Sequence, residues 1–435
     1  MSVDDITRVT VLGAGSMGHG ITEVVALAGY EVTMRDIKQE LVDEGRDSIE
    51  WSVEKLSEKG LIDEVPATVM ARVSTEVDLK TAVTDADLVI EAAPEQMALK
   101  KDIFAELDAY AHEDAILASN TSSLSVTEIA TATDRPHKIC GMHFFNPPVK
   151  MDLVEVIYGE ETGQETAESV YEFTQAIGKT PIYVRKDVNG FVVNSVLGPF
   201  GAEAGWIVSA DEATIREADA TMVHERGYPM GPFELGDLTG IDIGYHVRKE
   251  AGKEVPPVVE EKVAAEELGQ KTGKGYYAYE NGSGADYGPD DVSETFDWLR
   301  IEDRMINEAA KLIGADVATP EAIDTGLRLG AGFPDGPCRR ADRLGLDVVL
   351  AKLNEQYEAT GEDRYEPATY LVDLVEAGTT GDAAGAGFYN YDTDGDERDY
   401  QNLSYSLSTD GLLAIELDRP ERLNALSPDL MAEIV

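Results

Sequence analysis

Val11-Leu-Gly-Ala-Gly-Ser-Met-Gly18 follows the apolar run Arg8-Val-Thr-Val-Leu12 and precedes a segment with helical periodicity, Ile21 to Ala28. A Gly-x-Gly-x-x-Gly stretch set between a strand and a helix is the expected opening of a dinucleotide-binding βαβ unit. Gly13 permits the tight turn, Gly15 lets the backbone approach a pyrophosphate, and Gly18 lets the helix pack closely on the strand. The helix N-terminus then offers free N–H groups and a partial positive charge to the phosphates, with Ser16 and Met17 in the same loop. Outward from it, Glu31-Val-Thr-Met-Arg35, Asp87-Leu-Val-Ile-Glu91 and Ala115-Ile-Leu-Ala118 read as further strands, alternating with helical patterns such as Gln96 to Tyr110. That alternation predicts a doubly wound α/β domain with a parallel sheet over residues 1–186.

Asp36 ends the second strand, 21 residues after Gly15, where a carboxylate accepts hydrogen bonds from an adenosine ribose diol and repels a 2′-phosphate. This favours NAD over NADP, although the adjacent Arg35 pulls the other way. A second segment, His143-Phe-Phe-Asn-Pro-Pro-Val-Lys-Met-Asp-Leu-Val-Glu155, supplies an imidazole and a carboxylate 12 residues apart. Two neighbouring strands joined by the Asn146-Pro-Pro turn would bring them together. An imidazole suits the removal of a hydroxyl proton near neutrality, and a carboxylate behind it orients the ring and stabilises the imidazolium. Taken alone, a histidine beside two phenylalanines is also what a packed core contains. Ser122, in Ser119-Asn-Thr-Ser-Ser-Leu124, is either a helix cap or a substrate contact. Asn194 sits at an apolar helix start, where a buried amide needs a partner, structural or functional.

The 435 residues suffice for about three domains. With 84 acidic against 36 basic residues the net charge is −48, which argues against nucleic acid and anionic membrane surfaces as partners. The acids are spread through ordered segments, the pattern of adaptation to a salt-rich cytoplasm. Cys140 and Cys338 fit neither a metal site nor a disulfide framework, so no metal is expected. No signal-peptide pattern and no membrane-length apolar run occurs, and a cytoplasmic chain is expected.

From 187 to 281 helical signals dominate, and after the loop Asn281-Gly-Ser-Gly-Ala-Asp286 the pattern repeats over 294–391. Gly227 to Asp242 corresponds to Gly332 to Asp347 at a constant offset of 105, with seven of the 16 positions identical. Asp219 and Asp324 keep that offset, and Gly275-Tyr-Tyr-Ala-Tyr279 echoes Gly387-Phe-Tyr-Asn-Tyr391. Two tandem all-α domains are therefore expected. Beyond a second loop, Gly411-Leu-Leu-Ala-Ile-Glu-Leu417 reads as a strand within a short segment, 404–435, too small to bury a core.

Together these motifs resemble the L-3-hydroxyacyl-CoA dehydrogenases of fatty-acid β-oxidation, from Val9 to about Tyr279, with Leu153-Val-Glu-Val156 and Gly231-Pro-Phe-Glu-Leu235 adding to those quoted. The resemblance implies NAD as cofactor, acyl-CoA as substrate, His143 as catalytic base, Glu155 as its partner, and Ser122 and Asn194 against the substrate. It places Asp36, Glu95, Lys100 and Asn120 on the cofactor side with the glycine loop. Ser195 stands where the family usually has arginine. The second helical copy resembles the extra C-terminal domain of multifunctional β-oxidation proteins. It carries Cys338-Arg-Arg340 in place of Phe233-Glu-Leu235, so no second active site is expected. Its expected role is to pack on the first copy as an internal pseudo-dimer. The segment from Asp410 resembles the start of a crotonase (enoyl-CoA hydratase) domain, and a hydratase or thiolase partner is a further expectation. Alternatives are a related hydroxyacid dehydrogenase and a catalytically dead acyl-CoA-binding fragment.

Overall fold

The computed structural model describes residues 3–279, 284–391, 403–407 and 413–417. Eight strands form one sheet: β1 (Arg8–Leu12), β2 (Glu31–Arg35), β3 (Val73–Glu76), β4 (Leu88–Glu91), β5 (Ile116–Ser119), β6 (Ile139–Phe144), β7 (Leu153–Ile157) and β8 (Thr180–Val184). Their order is β3-β2-β1-β4-β5-β6-β7-β8. Neighbours run parallel except β6 and β7, which are antiparallel. Every residue of β4 and β5 is buried, as expected of strands covered on both faces.

The sheet divides two cores. On one side Val11 and Val9 pack with Ile21 and Val25 of the Ser16–Leu27 helix, with Ile49 of the Gln39–Glu58 helix, and with Phe173. On the other, Val89 and Leu117 join Phe104 and Leu107 of the Met97–Tyr110 helix, and this core continues without a break through Phe200, Ile301 and Leu327. Burying such side chains contributes about 1.5–3 kcal/mol each before conformational entropy is counted.

From 190 to 391 the regular elements among the described residues are helices, joined by loops and a few isolated bridges. The duplication extends to hydrogen bonds. Asp219 accepts the Phe233 and Glu234 amides and the Tyr277 hydroxyl. Asp324 accepts the Cys338 and Arg339 amides and the Tyr389 hydroxyl. Asp237 and Asp342 likewise hold the two ends of their copies through Tyr279 and Tyr391. The Val193–Ser209 helix of the first copy packs along the Leu299–Gly314 helix of the second.

Equivalent positions meet where the copies touch. Tyr228 and Phe333, 105 residues apart, have ring centroids 4.7 Å apart. A methyl group built on Gly227 would lie 3.9 Å from Pro334, and one on Gly332 would lie 3.6 Å from Pro229. Such reciprocal contacts are those of an isologous interface. Beside them the buried Glu302 carboxylate accepts both Arg226 and Arg340, at 3.0 and 2.7 Å, and the Tyr228 hydroxyl.

Leu403–Leu407 and Leu413–Leu417 pair antiparallel, the latter within the strand expected from Gly411. The rest of the segment from Asp410, expected to resemble the start of a crotonase domain, lies outside the described residues.

Candidate active site

Gly13 sits at φ +108°, a region L side chains rarely adopt, and a Cβ there would lie 2.6 Å from the Ala92 carbonyl oxygen. At Gly18 a Cβ would strike the Gly13 carbonyl at 1.9 Å, so helix and strand approach as closely as the motif demands. At Gly15 nothing lies within 4 Å of such an atom, leaving open space in front of the loop. Gly15 is also the N-cap of the Ser16–Leu27 helix and makes no side-chain cap bond, so no capping side chain occupies the first-turn amides. A concave backbone ending in helical N–H donors is the donor set a pyrophosphate requires. Met17 is partly buried against the β1–β2 core, and the Ser16 hydroxyl reaches Asn146 Oδ1 at 3.4 Å.

Asp36 follows β2. Its Oδ2 accepts the Ala14 amide at 2.8 Å and its Oδ1 the Ile37 amide at 2.7 Å, which fixes the carboxylate beside the loop. Arg35 is engaged elsewhere, donating Nε to the Val77 carbonyl at 3.1 Å. The carboxylate, rather than the guanidinium, is thus anchored to the glycine turn, which suits a ribose diol.

His143 and Glu155 are register partners across the antiparallel β6–β7 pair. His143 Nδ1 lies 2.7 Å from Glu155 Oε2; the carboxylate is fully buried and the imidazole nearly so. The other oxygen, Oε1, accepts the Val192 and Val193 amides, each at 3.0 Å. Those amides face it because Gly190 and Phe191 both turn through positive φ, +79° and +51°, just before the helix starts. Phe145 covers the imidazole at a centroid separation of 4.6 Å. With Nδ1 on Glu155, Nε2 is the nitrogen that remains to accept a proton.

A second network joins the ends of β4 and β5. Glu91, fully buried, accepts Lys100 Nζ at 2.8 Å, the Ala93 amide at 2.7 Å and the Ser119 hydroxyl at 2.6 Å. Lys100 also pairs with Glu95 at 3.3 Å. Glu95 Oε1 in turn accepts the Thr121 hydroxyl at 2.7 Å and the Ser122 and Ser123 amides at 2.9 and 3.0 Å. Burial works to raise the Glu95 carboxyl, but the Lys100 ammonium and these donors outweigh it and hold it below the usual carboxylate range.

Three expectations change on this geometry. Lys100, expected on the cofactor side, has a side chain 1% exposed and turned into the Glu91–Glu95 pair, so it steadies the loop from behind. Ser122 is not a helix cap; Ser125 is, accepting the Glu128 amide, while Ser122 is held by Glu95. Asn194 is exposed rather than buried, so the cost of an unpaired amide does not arise. Asn120 links two strand ends, its Oδ1 accepting the Phe144 amide at 2.8 Å. Glu91 was missed from sequence. Its only signal is a carboxylate closing an otherwise apolar strand, nine residues before a lysine.

Comparisons with known proteins identify the family. The family described as 3-hydroxyacyl-CoA dehydrogenase, NAD binding domain, matches residues 8–188. The corresponding C-terminal domain family matches twice, over 190–279 and 298–391. A probable 3-hydroxybutyryl-CoA dehydrogenase of Deinococcus radiodurans is 40% identical over 381 residues, covering 88% of this chain and 99% of that one. The fatty acid oxidation complex subunit alpha of Idiomarina loihiensis is 36% identical over 402 residues, 86% of this chain but only 55% of that longer protein. The crystal structure of 3-hydroxybutyryl-CoA dehydrogenase from Escherichia coli superposes with a TM-score of 0.78 at 28% identity, covering 86% of this chain and 99% of that one.

Proposed function

The chain belongs to the 3-hydroxyacyl-CoA dehydrogenase family of NAD-dependent oxidoreductases, and on that premise we propose that His143 is the base that converts an L-3-hydroxyacyl-CoA to its 3-oxo product. The observation that carries this assignment is the 2.7 Å His143–Glu155 pair with the second carboxylate oxygen fixed by two backbone amides. NAD, when bound, supplies the acceptor for the hydride leaving C3. The Gly13–Gly18 loop would hold its pyrophosphate and Asp36 its adenosine ribose. His143 Nε2 takes the C3 hydroxyl proton, and buried Glu155 stabilises the imidazolium that results. Ser122, held by Glu95, and exposed Asn194 are assigned to the substrate's reacting end. Asn120 orders the loop between them and the sheet.

Likeness to a protein named as a fatty acid oxidation complex subunit supports a place among further enzymes of that oxidation, for which we propose a hydratase or thiolase partner. Among the described residues no helix is long and apolar enough to cross a membrane. From the acids spread through its ordered segments we propose a salt-rich cytoplasm as its location.

The test is NADH formation from NAD and L-3-hydroxyacyl-CoAs, with the free 3-hydroxy acids as comparison, in native protein and His143→Ala. The variant is expected to lose about 10²–10⁴ in kcat with NAD affinity unchanged. Equal turnover in the two proteins would remove His143 from the role of base, and turnover of the free acids alone would overturn the thioester substrate.

A further inference from the structure

The second helical copy carries Cys338-Arg-Arg340 where the first has Phe233-Glu-Leu235, and one of its helices, Pro320–Ala331, is packed against the first site. Gly326 and Gly330, one turn apart, face the sheet. A methyl group added at Gly330 would lie 2.7 Å from Leu153 Cδ2 and 3.2 Å from the Phe145 ring. One added at Gly326 would lie 3.1 Å from Ile182 Cδ1 and 3.1 Å from Val193 Cγ2, with Val192 Cγ1 at 3.6 Å.

Each of these neighbours bears on the dyad. Phe145 covers His143. Leu153 stands two residues before Glu155 on β7, on the same face of the strand. Ile182 is the register partner of Glu155 on β8. Val192 and Val193 donate the amides that hold Glu155 Oε1. The turn before the helix reinforces the contact, because the Arg185 amide at the end of β8 donates to the Val317 carbonyl at 2.7 Å.

Glycine inside a helix costs stability relative to alanine, so two on one face call for a reason. The repeat itself does not demand them: the positions 105 residues earlier are Thr221 and Glu225. They are small where the second copy meets the residues around His143 and Glu155. We propose that the second copy is a positioning element for the dehydrogenase reaction, with Gly326 and Gly330 setting how closely the Pro320–Ala331 helix seats against the walls of the His143–Glu155 pair. This rests on the assignment of His143 as the base.

Gly330→Ala raises helix propensity, so a loss of activity in it would not come from a weaker helix. It is expected to lower kcat about tenfold or more, since sub-ångström displacement of a catalytic pair is costly. KM for the acyl-CoA and affinity for NAD stay as in the native chain. The low-field proton resonance of His143 Nδ1–H, assigned in histidine-labelled protein by its loss in His143→Ala, shifts with it. Gly314→Ala is the control: its methyl would meet Tyr370 at 2.9 Å, wholly within the second copy. It should change neither kcat nor the resonance.

A folded Gly330→Ala with native kcat and an unmoved resonance overturns the proposal, as does an equal loss in Gly314→Ala. Should Gly330→Ala fail to fold, Gly326→Ala, whose contacts are side-chain methyls at 3.1 Å, gives the same reading. If native protein makes no NADH from any 3-hydroxyacyl-CoA, the functional assignment falls, while the resonance still reports whether the helix sets the dyad.

Discussion

At the scale of single residues, Glu155 shows how a side chain is fixed for chemistry. Two amides fill one oxygen, so only the other meets His143. In Glu155→Gln the amide oxygen would stay on the Val192 and Val193 donors, and the NH₂ group would face Nδ1. The imidazole would then have to carry its proton on Nε2, the wrong tautomer for a base. We expect kcat to fall on the order of 10³–10⁴-fold with NAD binding retained, measured by steady-state assay and cofactor titration. Glu23 shows a carboxylate with no chemistry to perform. It is 1% exposed on the Ser16–Leu27 helix, accepts the Ser52 hydroxyl at 2.6 Å, and burial, partly offset by that bond, pushes it up to about 7. A carboxyl raised in the folded state gives stability that is complete below the ordinary value of 4.5 and is lost as pH climbs through 7. Glu23→Gln should therefore be more stable than the native chain by on the order of 3 kcal/mol at about pH 8.5, and the gain should vanish near pH 4.5. Urea midpoints at the two pH values decide it, and a gain independent of pH would contradict the titration account.

At the scale of elements, β1 and β2 were legible because each is a five-residue stretch with apolar side chains at alternate positions, Val9 and Val11 in one and Val32 and Met34 in the other, set between unmistakable glycine and helix signals. Two other strands were not. Val73-Ser-Thr-Glu76 offers one large apolar residue because β3 is an edge strand with little to bury. β8 begins Thr180-Pro181, and proline argues against a strand except at a sheet edge, where β8 lies. The dyad could be read as a pair on neighbouring strands, since 12 residues and a proline turn limit the options. What supports it could not: Val192, Val193 and the Pro320–Ala331 helix arrive from 37 residues and more away in sequence. The same holds for Lys100, whose placement between Glu91 and Glu95 exists only once the helix docks under the β4–β5 ends. Lys100→Met would leave Glu91 buried without its cation, and we expect a loss of about 3–5 kcal/mol in chemical denaturation. Glu95 would lose the charge that anchors the Ser122 loop, so KM for the acyl-CoA should rise in whatever fraction remains folded.

At the scale of the whole molecule, fusion of two copies places equivalent residues, Tyr228 and Phe333, against each other and so closes inside one chain a surface of the isologous kind. Glu302 is the charged centre of that surface, and Glu302→Ala would leave Arg226 and Arg340 without their carboxylate. We expect this variant to unfold at lower urea by about 3–5 kcal/mol, with the C-terminal copy losing protection from hydrogen exchange first. Net charge acts on the same assembly from outside. At −48 the folded chain repels itself more strongly than the expanded one, because folding brings carboxylates closer together. Salt weakens that repulsion as the screening length contracts from about 10 Å at 0.1 M to about 3 Å at 1 M. The buried pairs at Glu302 and Glu91 are screened far less, so the same salt removes little of their attraction. Stability should therefore rise with KCl across this range, and most of the rise should come before 1 M, where screening is nearly complete. A melting temperature that stays flat or falls from 0.1 to 1 M KCl would show that the acidic surface imposes no electrostatic cost on the fold. Adaptation to salt would then not be the reason for it.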